Sequence, residues 1–114
     1  MKPSEGSTII GKSVQFKGEI NGTEELYVDG KIDGIIRLNG NRLILGPNAD
    51  VNAEVHVQDL VVLGRQNGPV QATGRVDIRQ SGQLFGDITA ARFSIEESAS
   101  VRGRVTLTGQ EGRG

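Results

Sequence analysis

His56 is the only histidine in the 114-residue chain, and the paired carboxylates Glu24-Glu25 and Glu96-Glu97 are its nearest rivals as acid–base groups. A general base must sit within hydrogen-bond reach of the proton it takes and be oriented by a second group. His56 follows Val55 in a run of alternating polarity, so it is expected to face solvent with nothing converging on it. Neighbouring residues of a strand point to opposite faces, so neither Glu pair makes a dyad unless it lies at a turn. Gly30 and Gly34 are spaced like a glycine-rich loop, but no helix follows to offer its N-terminus to a phosphate. Arg102 and Arg104 bracket Gly103, and with Arg75, Arg79 and Arg92 they are weighed as a basic stripe; acids are interspersed, and ordinary solvated charge is the expectation. A lone histidine and no cysteine leave no nitrogen–sulfur metal set, although carboxylates alone could hold Mg²⁺ or Ca²⁺. No catalytic residue, cofactor site or metal site is expected.

The elements that would have to position any such group are unusual. Thirteen basic and 14 acidic residues give a net charge of −1, no surplus for a polyanion, so no nucleic-acid partner is expected. No apolar run approaches the ~20 residues of a membrane span, and Met1 to Ser7 contains no apolar signal segment. Absence of cysteine is compatible with a reducing compartment. Glycine reaches 17 residues, about twice the usual share, and the only aromatic residues are Phe16, Tyr27, Phe85 and Phe93. Val, Ile and Leu therefore carry a narrow, strand-built interior.

The chain repeats itself. An apolar-x-apolar pair recurs as Leu26-x-Val28, Leu43-x-Leu45, Leu60-x-Val62, Val76-x-Ile78 and Phe93-x-Ile95, in steps of 17, 17, 16 and 17. Thr8-x-Ile10 lies 18 residues upstream and makes a first member. A second phrase, apolar-x-Gly/Ala-x-apolar, follows at Phe16–Ile20, Ile32–Ile36, Val51–Val55, Leu84–Ile88 and Val101–Val105. The fourth unit reads as degenerate: Val70, Ala72 and Gly74 after a longer connection from Gly64 to Pro69. In units 1, 3, 5 and 6 the glycine or alanine stands eight residues after the pair; the second unit runs two residues short. Period two means strand, with the glycine or alanine expected to face inward among its apolar neighbours. No helical period of useful length competes. Six units of 16–18 residues fit coils of three short strands stacked on one another, an all-β, three-faced β-solenoid of about six coils. Stacking predicts a continuous inner ladder: Ile10, Val28, Leu45, Val62, Ile78, Ile95. The division expected is a polar tail 1–7, a β-helix 8–109 and a tail 110–114.

At "TIIGKSVQFKGEINGTEELYVDGKIDGII" (8–36), and again at "LFGDI" and "VRGRV", the chain resembles the bactofilins, a bacterial cytoskeletal family. The resemblance implies a right-handed parallel β-helix and nucleotide-independent filaments built by coils stacking end to end. It also implies roles in cell shape, localised wall synthesis or positioning of other proteins, with cell-wall enzymes and membrane proteins as the partner classes. Localisation would be cytoplasmic, at the inner face of the membrane through partners; direct membrane binding is not expected from the polar leading segment.

Solenoids that remain monomeric need polar caps. None is legible before Thr8 or after Thr108. Apolar residues of the first coil, Ile10, Val14, Phe16 and Ile20, and of the last, Phe93, Ile95, Val101, Val105 and Leu107, are therefore expected at open ends that pair with further copies of the chain. Two other readings compete. "LGPNADVNAEV" (45–55) is similar to hexapeptide units of left-handed solenoid acyltransferases, which would form a trimer of fixed size and bind an acyl donor. A surface adhesin fragment would need a leader.

Overall fold

A computed structural model describes residues 7–38 and 40–108, all of them strand, turn or connection, with no helix. The expected tails lie outside these residues, except Ser7, which opens the first strand. Fifteen strands, numbered in chain order, form three lanes. The first lane stacks β1 (Ser7–Ile10), β3 (Glu25–Val28), β5 (Arg42–Leu45), β7 (Asp59–Val62), β10 (Arg75–Ile78) and β13 (Arg92–Ile95) as one parallel sheet. The register carries Ile10 onto Val28, Leu45, Val62, Ile78 and Ile95, the ladder that the repeat predicts.

The second sheet supplies the other two lanes. In the first three coils, single eight-residue strands run through both: β2 (Gln15–Gly22), β4 (Lys31–Leu38) and β6 (Asp50–Val57). In the last three coils each strand splits in two. β8 (Arg65–Asn67), β11 (Gln83–Phe85) and β14 (Ser100–Arg102) continue one lane, while β9 (Val70–Ala72), β12 (Ile88–Ala90) and β15 (Val105–Leu107) continue the other. β6 shows the division directly: its first half pairs with β8 and its second with β9. Every pairing is parallel, and the inward residues of all three lanes meet in one core cluster. This is a β-solenoid of about six turns.

The fourth coil differs from its sequence reading. Gln66 stands in register with Val51 and Leu84, so the repeated phrase there is Gln66-x-Gly68-x-Val70, and the supposed connection from Gly64 to Pro69 contains β8. Gly68 follows Val62 by six residues, as Gly34 follows Val28. The physical reason is a corner. Coils one, three, five and six turn through four residues closed by a backbone hydrogen bond, such as Val14 N–H to the Gly11 carbonyl and Ala49 N–H to the Gly46 carbonyl, each 3.0 Å. Coils two and four turn through only two residues, Asp29-Gly30 and Leu63-Gly64. A polar residue in an apolar column, together with the shorter corner, hid the phrase.

The phrase glycines are also not small for the reason expected. Gly34, Gly68, Gly86 and Gly103 have φ between +134° and +144°, and a Cβ on each would run into the carbonyl of the corresponding residue one coil earlier. Their constraint lies along the rod axis, between coils, and in the backbone torsion; it does not come from a crowded interior. Ala53 takes this place in coil three with ordinary φ.

Gln66 is fully buried, at 0% exposure. Its Nε2 donates to the carbonyl of Ala53 at 2.8 Å, and its Oε1 has no partner. The amide therefore satisfies a backbone acceptor at the coil-three bend while leaving its own acceptor unmet, a mixed balance of bonds gained and lost. Gln66→Glu tests this site. Burial raises a carboxyl pKa, so the variant is held by its neutral form, which can donate to Ala53. The relative stability is full below the unfolded-state pKa of ~4.3 and is lost as pH rises towards the raised folded-state value. The expected outcome is near wild-type melting at pH 4 and a loss of about 2–3 kcal/mol at pH 7; a flat difference between the two pH values would place residue 66 in contact with water.

Candidate self-assembly surfaces

Each inward column is sealed in the middle of the rod and open at its ends. Val28, Ile32 and Ile36 are at most 1% exposed. One coil earlier, Ile10, Phe16 and Ile20 occupy the same columns but are only half-buried, resting on the core from one side. Val14, at the corner turn, is 44% exposed, and its carbonyl accepts the N–H of Lys31 at 3.0 Å. At the other end Phe93 and Val101 are half-buried, while Ile95, Val105 and Leu107 reach 45%, 36% and 60% exposure. Their counterparts one coil inward, Val76, Leu84, Ile78, Ile88 and Ala90, are buried. The chemistry is the same; only the covering coil is missing among the described residues. The structure thus gathers all nine residues onto two end surfaces, four on one and five on the other.

The backbone is open at the same places. Among the described residues, no strand pairs with the outer edge of β1 or β2, nor with those of β13, β14 and β15. Such rows of unmet N–H and C=O groups are templates for another strand. Two end residues escape sequence reasoning. Ala99 completes the corner position above Gly82, and its signal is the four-residue turn closed by its N–H on the Glu96 carbonyl at 3.0 Å. Gly18 shares the torsion of the other phrase glycines, φ +135°, but among the described residues no coil lies beneath it, so a Cβ there would meet only the Phe16 ring.

The groups considered for chemistry are dispersed. His56 lies on an outer row in register with Arg37 and Gln71, and, against the expectation that nothing converges on it, its Nε2 is 2.5 Å from Glu54 Oε2. Arg37 is itself paired with Glu19. Glu25 faces Arg42 at 3.7 Å. Glu96 accepts the Gln80 N–H at 2.8 Å and so clamps two successive corners together. Asp29 does the same for the turn at Asn48, and Asp59 for Arg75. These carboxylates are intercoil clamps. A Cβ at Gly30 would meet the carbonyl oxygens of Val14 and Gly11, the wrong polarity for a phosphate cradle. The five arginines do not make one stripe. Arg75 and Arg92 stack on the first lane, Arg79 flanks Asp77 at the corner, and Arg102 and Arg104 fall on either side of the bend at Gly103. No group of three or more His, Asp or Glu side chains is gathered for a metal among the described residues, and none of their elements is a helix able to cross a membrane.

These features define a class: a parallel β-solenoid whose two ends, among the described residues, are uncovered cross-sections of its own core. Comparison with known proteins makes the class specific. Residues 8–106 match the family model for bactofilins, described as polymer-forming and cytoskeletal. The chain is 37% identical over 101 residues to bactofilin BacP of Myxococcus xanthus, covering 89% of this chain and 42% of that one. It is 32% identical over 105 residues to bactofilin BacO of the same organism, covering 92% of this chain and 82% of that one. No solved structure matches. The chain belongs to the bactofilin family, whose members are structural, polymer-forming cytoskeletal proteins.

Proposed function

We propose that this chain self-assembles end to end into filaments without nucleotide and serves as a scaffold for cell-shape, cell-wall or positioning machinery. The observation that carries the reading is the pair of open ends, Ile10, Val14, Phe16 and Ile20 on one and Phe93, Ile95, Val101, Val105 and Leu107 on the other. A further coil laid on either end would continue three inward columns and two sheets at once. Hydrophobic burial and strand pairing then act together, as they do between coils within the chain. No step of this assembly calls for a phosphate, and no cofactor is invoked. In this reading residues 8–109 are the assembling body, and 1–7 and 110–114 are tails. Cell-wall enzymes and membrane proteins are the partner classes, met in the cytoplasm at the inner face of the membrane.

Negative-stain microscopy of the purified chain in nucleotide-free buffer tests this directly. Filaments one rod wide, unchanged by ATP or GTP, are expected at tens of micromolar. A sedimentation profile that stays monomeric at every salt concentration would refute it, and a trimer of fixed size that binds an acyl donor would restore the acyltransferase reading.

A further inference from the structure

The corner between the first and second lanes alternates in length along the rod. Four-residue corners in coils one, three and five flank the two-residue corners Asp29-Gly30 and Leu63-Gly64. Each short corner leaves a recess between two long ones, and the two recesses are finished differently. In coil two the chain fills its own recess. Asp29 accepts the backbone N–H and the side-chain Nδ2 of Asn48 at 2.8 and 3.1 Å, and Asp29 Oδ1 and the Tyr27 hydroxyl lie where a Cβ on Gly46 would go. In coil four the corresponding places belong to Val61 and Leu63. Tyr27, Ile44 and Val61 follow Ile9 in one outward row of the first lane, and Leu63 follows Val62 as Asp29 follows Val28. Neither aliphatic side chain can accept a hydrogen bond from the next corner.

The coil-four recess is open. It forms a groove of about 590 Å³ floored by Leu63 and Gly64, with Pro47 on its coil-three side and Gln80 and Ser81 on its coil-five side. Arg65 and Arg79 stand exposed on its rim. Their contacts within the chain are loose: Arg65 Cζ is 5.8 Å from the centre of the Phe85 ring, and Arg79 Nη2 is 4.0 Å from Asp77 Oδ2. The acid on the rim, Glu96, already accepts the Gln80 N–H. Ser81 is the one non-glycine among the described residues with positive φ, +71°; its counterpart Asn48 has none. Backbone strain of this kind gathers at ligand-binding segments.

We propose that this groove binds a peptide segment of a partner protein in which a carboxylate side chain neighbours an aliphatic one. The closed recess shows what fits such a corner, since its filler is a carboxylate. In the open one, two arginines supply the donors for a carboxylate brought from outside, a charge-assisted pairing suited to the planar guanidinium fork. Half-buried Leu63 and exposed Pro47 offer an apolar contact beside it. A bare polyanion fits less well, because the floor is apolar, Glu96 borders the groove and the whole chain carries a net charge of −1. The groove lies on the flank of the rod, away from both end surfaces. Filaments would display one per copy, every ~29 Å for six coils, and hold a partner with several such segments by multivalency. That display rests on the end-to-end reading; binding to a single chain does not.

The probe is a short fluorescent peptide alternating glutamate with leucine, titrated with the full chain and read by anisotropy. Saturable binding is expected. Arg65→Glu and Arg79→Glu are each expected to weaken it about tenfold. Leu63→Asp, which places a carboxylate of the chain's own in the recess, is expected to weaken it at least as much; if that variant melts early, the two arginine variants carry the test. Lys31→Glu makes the same change of charge on the outward row that holds Arg65, two coils away, and is expected to leave binding within about twofold. No saturable binding, equal binding of a serine-for-leucine peptide or of inorganic polyphosphate, or a loss in Lys31→Glu as large as in Arg65→Glu would each overturn the proposal. Repeating the titration with Leu107→Lys separates the two readings. Wild-type protein that binds the peptide but forms no filaments counts against end-to-end assembly alone, whereas filaments that fail to bind it count against the groove alone.

Discussion

Ile95→Lys, Leu107→Lys and Phe16→Asp are each expected to abolish filaments while leaving the rod folded. Ile95 and Leu107 are 45% and 60% exposed in the isolated chain, so a lysine there keeps its ammonium in water and costs the fold little. In a stacked pair of ends the same group would be sealed between two cross-sections of hydrophobic core without a partner. Burying an unpaired charge costs at least about 3 kcal/mol, which raises the concentration needed for assembly about 100-fold or more. Phe16→Asp applies the same test to the opposite end, at a greater cost to the monomer, because Phe16 is half-buried against the core. Pelleting assays read the assembly, and circular dichroism reads the strand content. Normal filaments from all three proteins would show that the ends are not the contact.

The largest loss of stability is expected from Gly34→Ala. At φ +144° an L-residue is strained by about 1–3 kcal/mol. The new methyl would also run into the Gly18 backbone, which is held in the β2–β4 register by strand pairing. A loss of at least about 3 kcal/mol, a fall in melting temperature of roughly 10 °C or more, is expected. Gly86→Ala meets the Gly68 carbonyl at 2.5 Å and belongs to the same group. Gly11→Ala provides the contrast: nothing lies within 4 Å of its Cβ position and no positive φ is required, so it is expected within about 1 kcal/mol of wild type. Gly18→Ala carries the torsional strain without the clash. If copies stack on that end, however, its methyl projects into the place a neighbouring coil would take. It is therefore expected to lose less stability than Gly34→Ala and yet to assemble poorly. Equal melting temperatures for Gly11→Ala and Gly34→Ala would refute the account of the phrase glycines as contact points between coils.

Much of the architecture is written in spacing. The pair at Leu26-x-Val28 and its successors fixes which residues stack, because side chains alternate with period two and any slip in register would turn the apolar set outward. Hence the inner ladder from Ile10 to Ile95, the number of coils, the absence of helix and the nine end residues could all be read from residue order alone. So could family membership, from the opening stretch at 8–36. What spacing does not carry is the path of the chain between strands. Four-residue and two-residue corners leave the same ladders in register, so the shorter corner at Leu63-Gly64, together with a buried Gln66 that breaks the apolar column, displaced the fourth phrase by four residues in the sequence reading. The glycines show a second limit. Their recurrence is visible in the sequence, but its cause is the backbone torsion and the carbonyl of the coil beneath, and these exist only once coils are stacked. The outward row Ile9, Tyr27, Ile44 and Val61 is a third case. Its members lie 17 or 18 residues apart and become one surface only through the parallel register of the first lane. Local alternation decides which way a side chain points, whereas contacts between coils decide what it meets there.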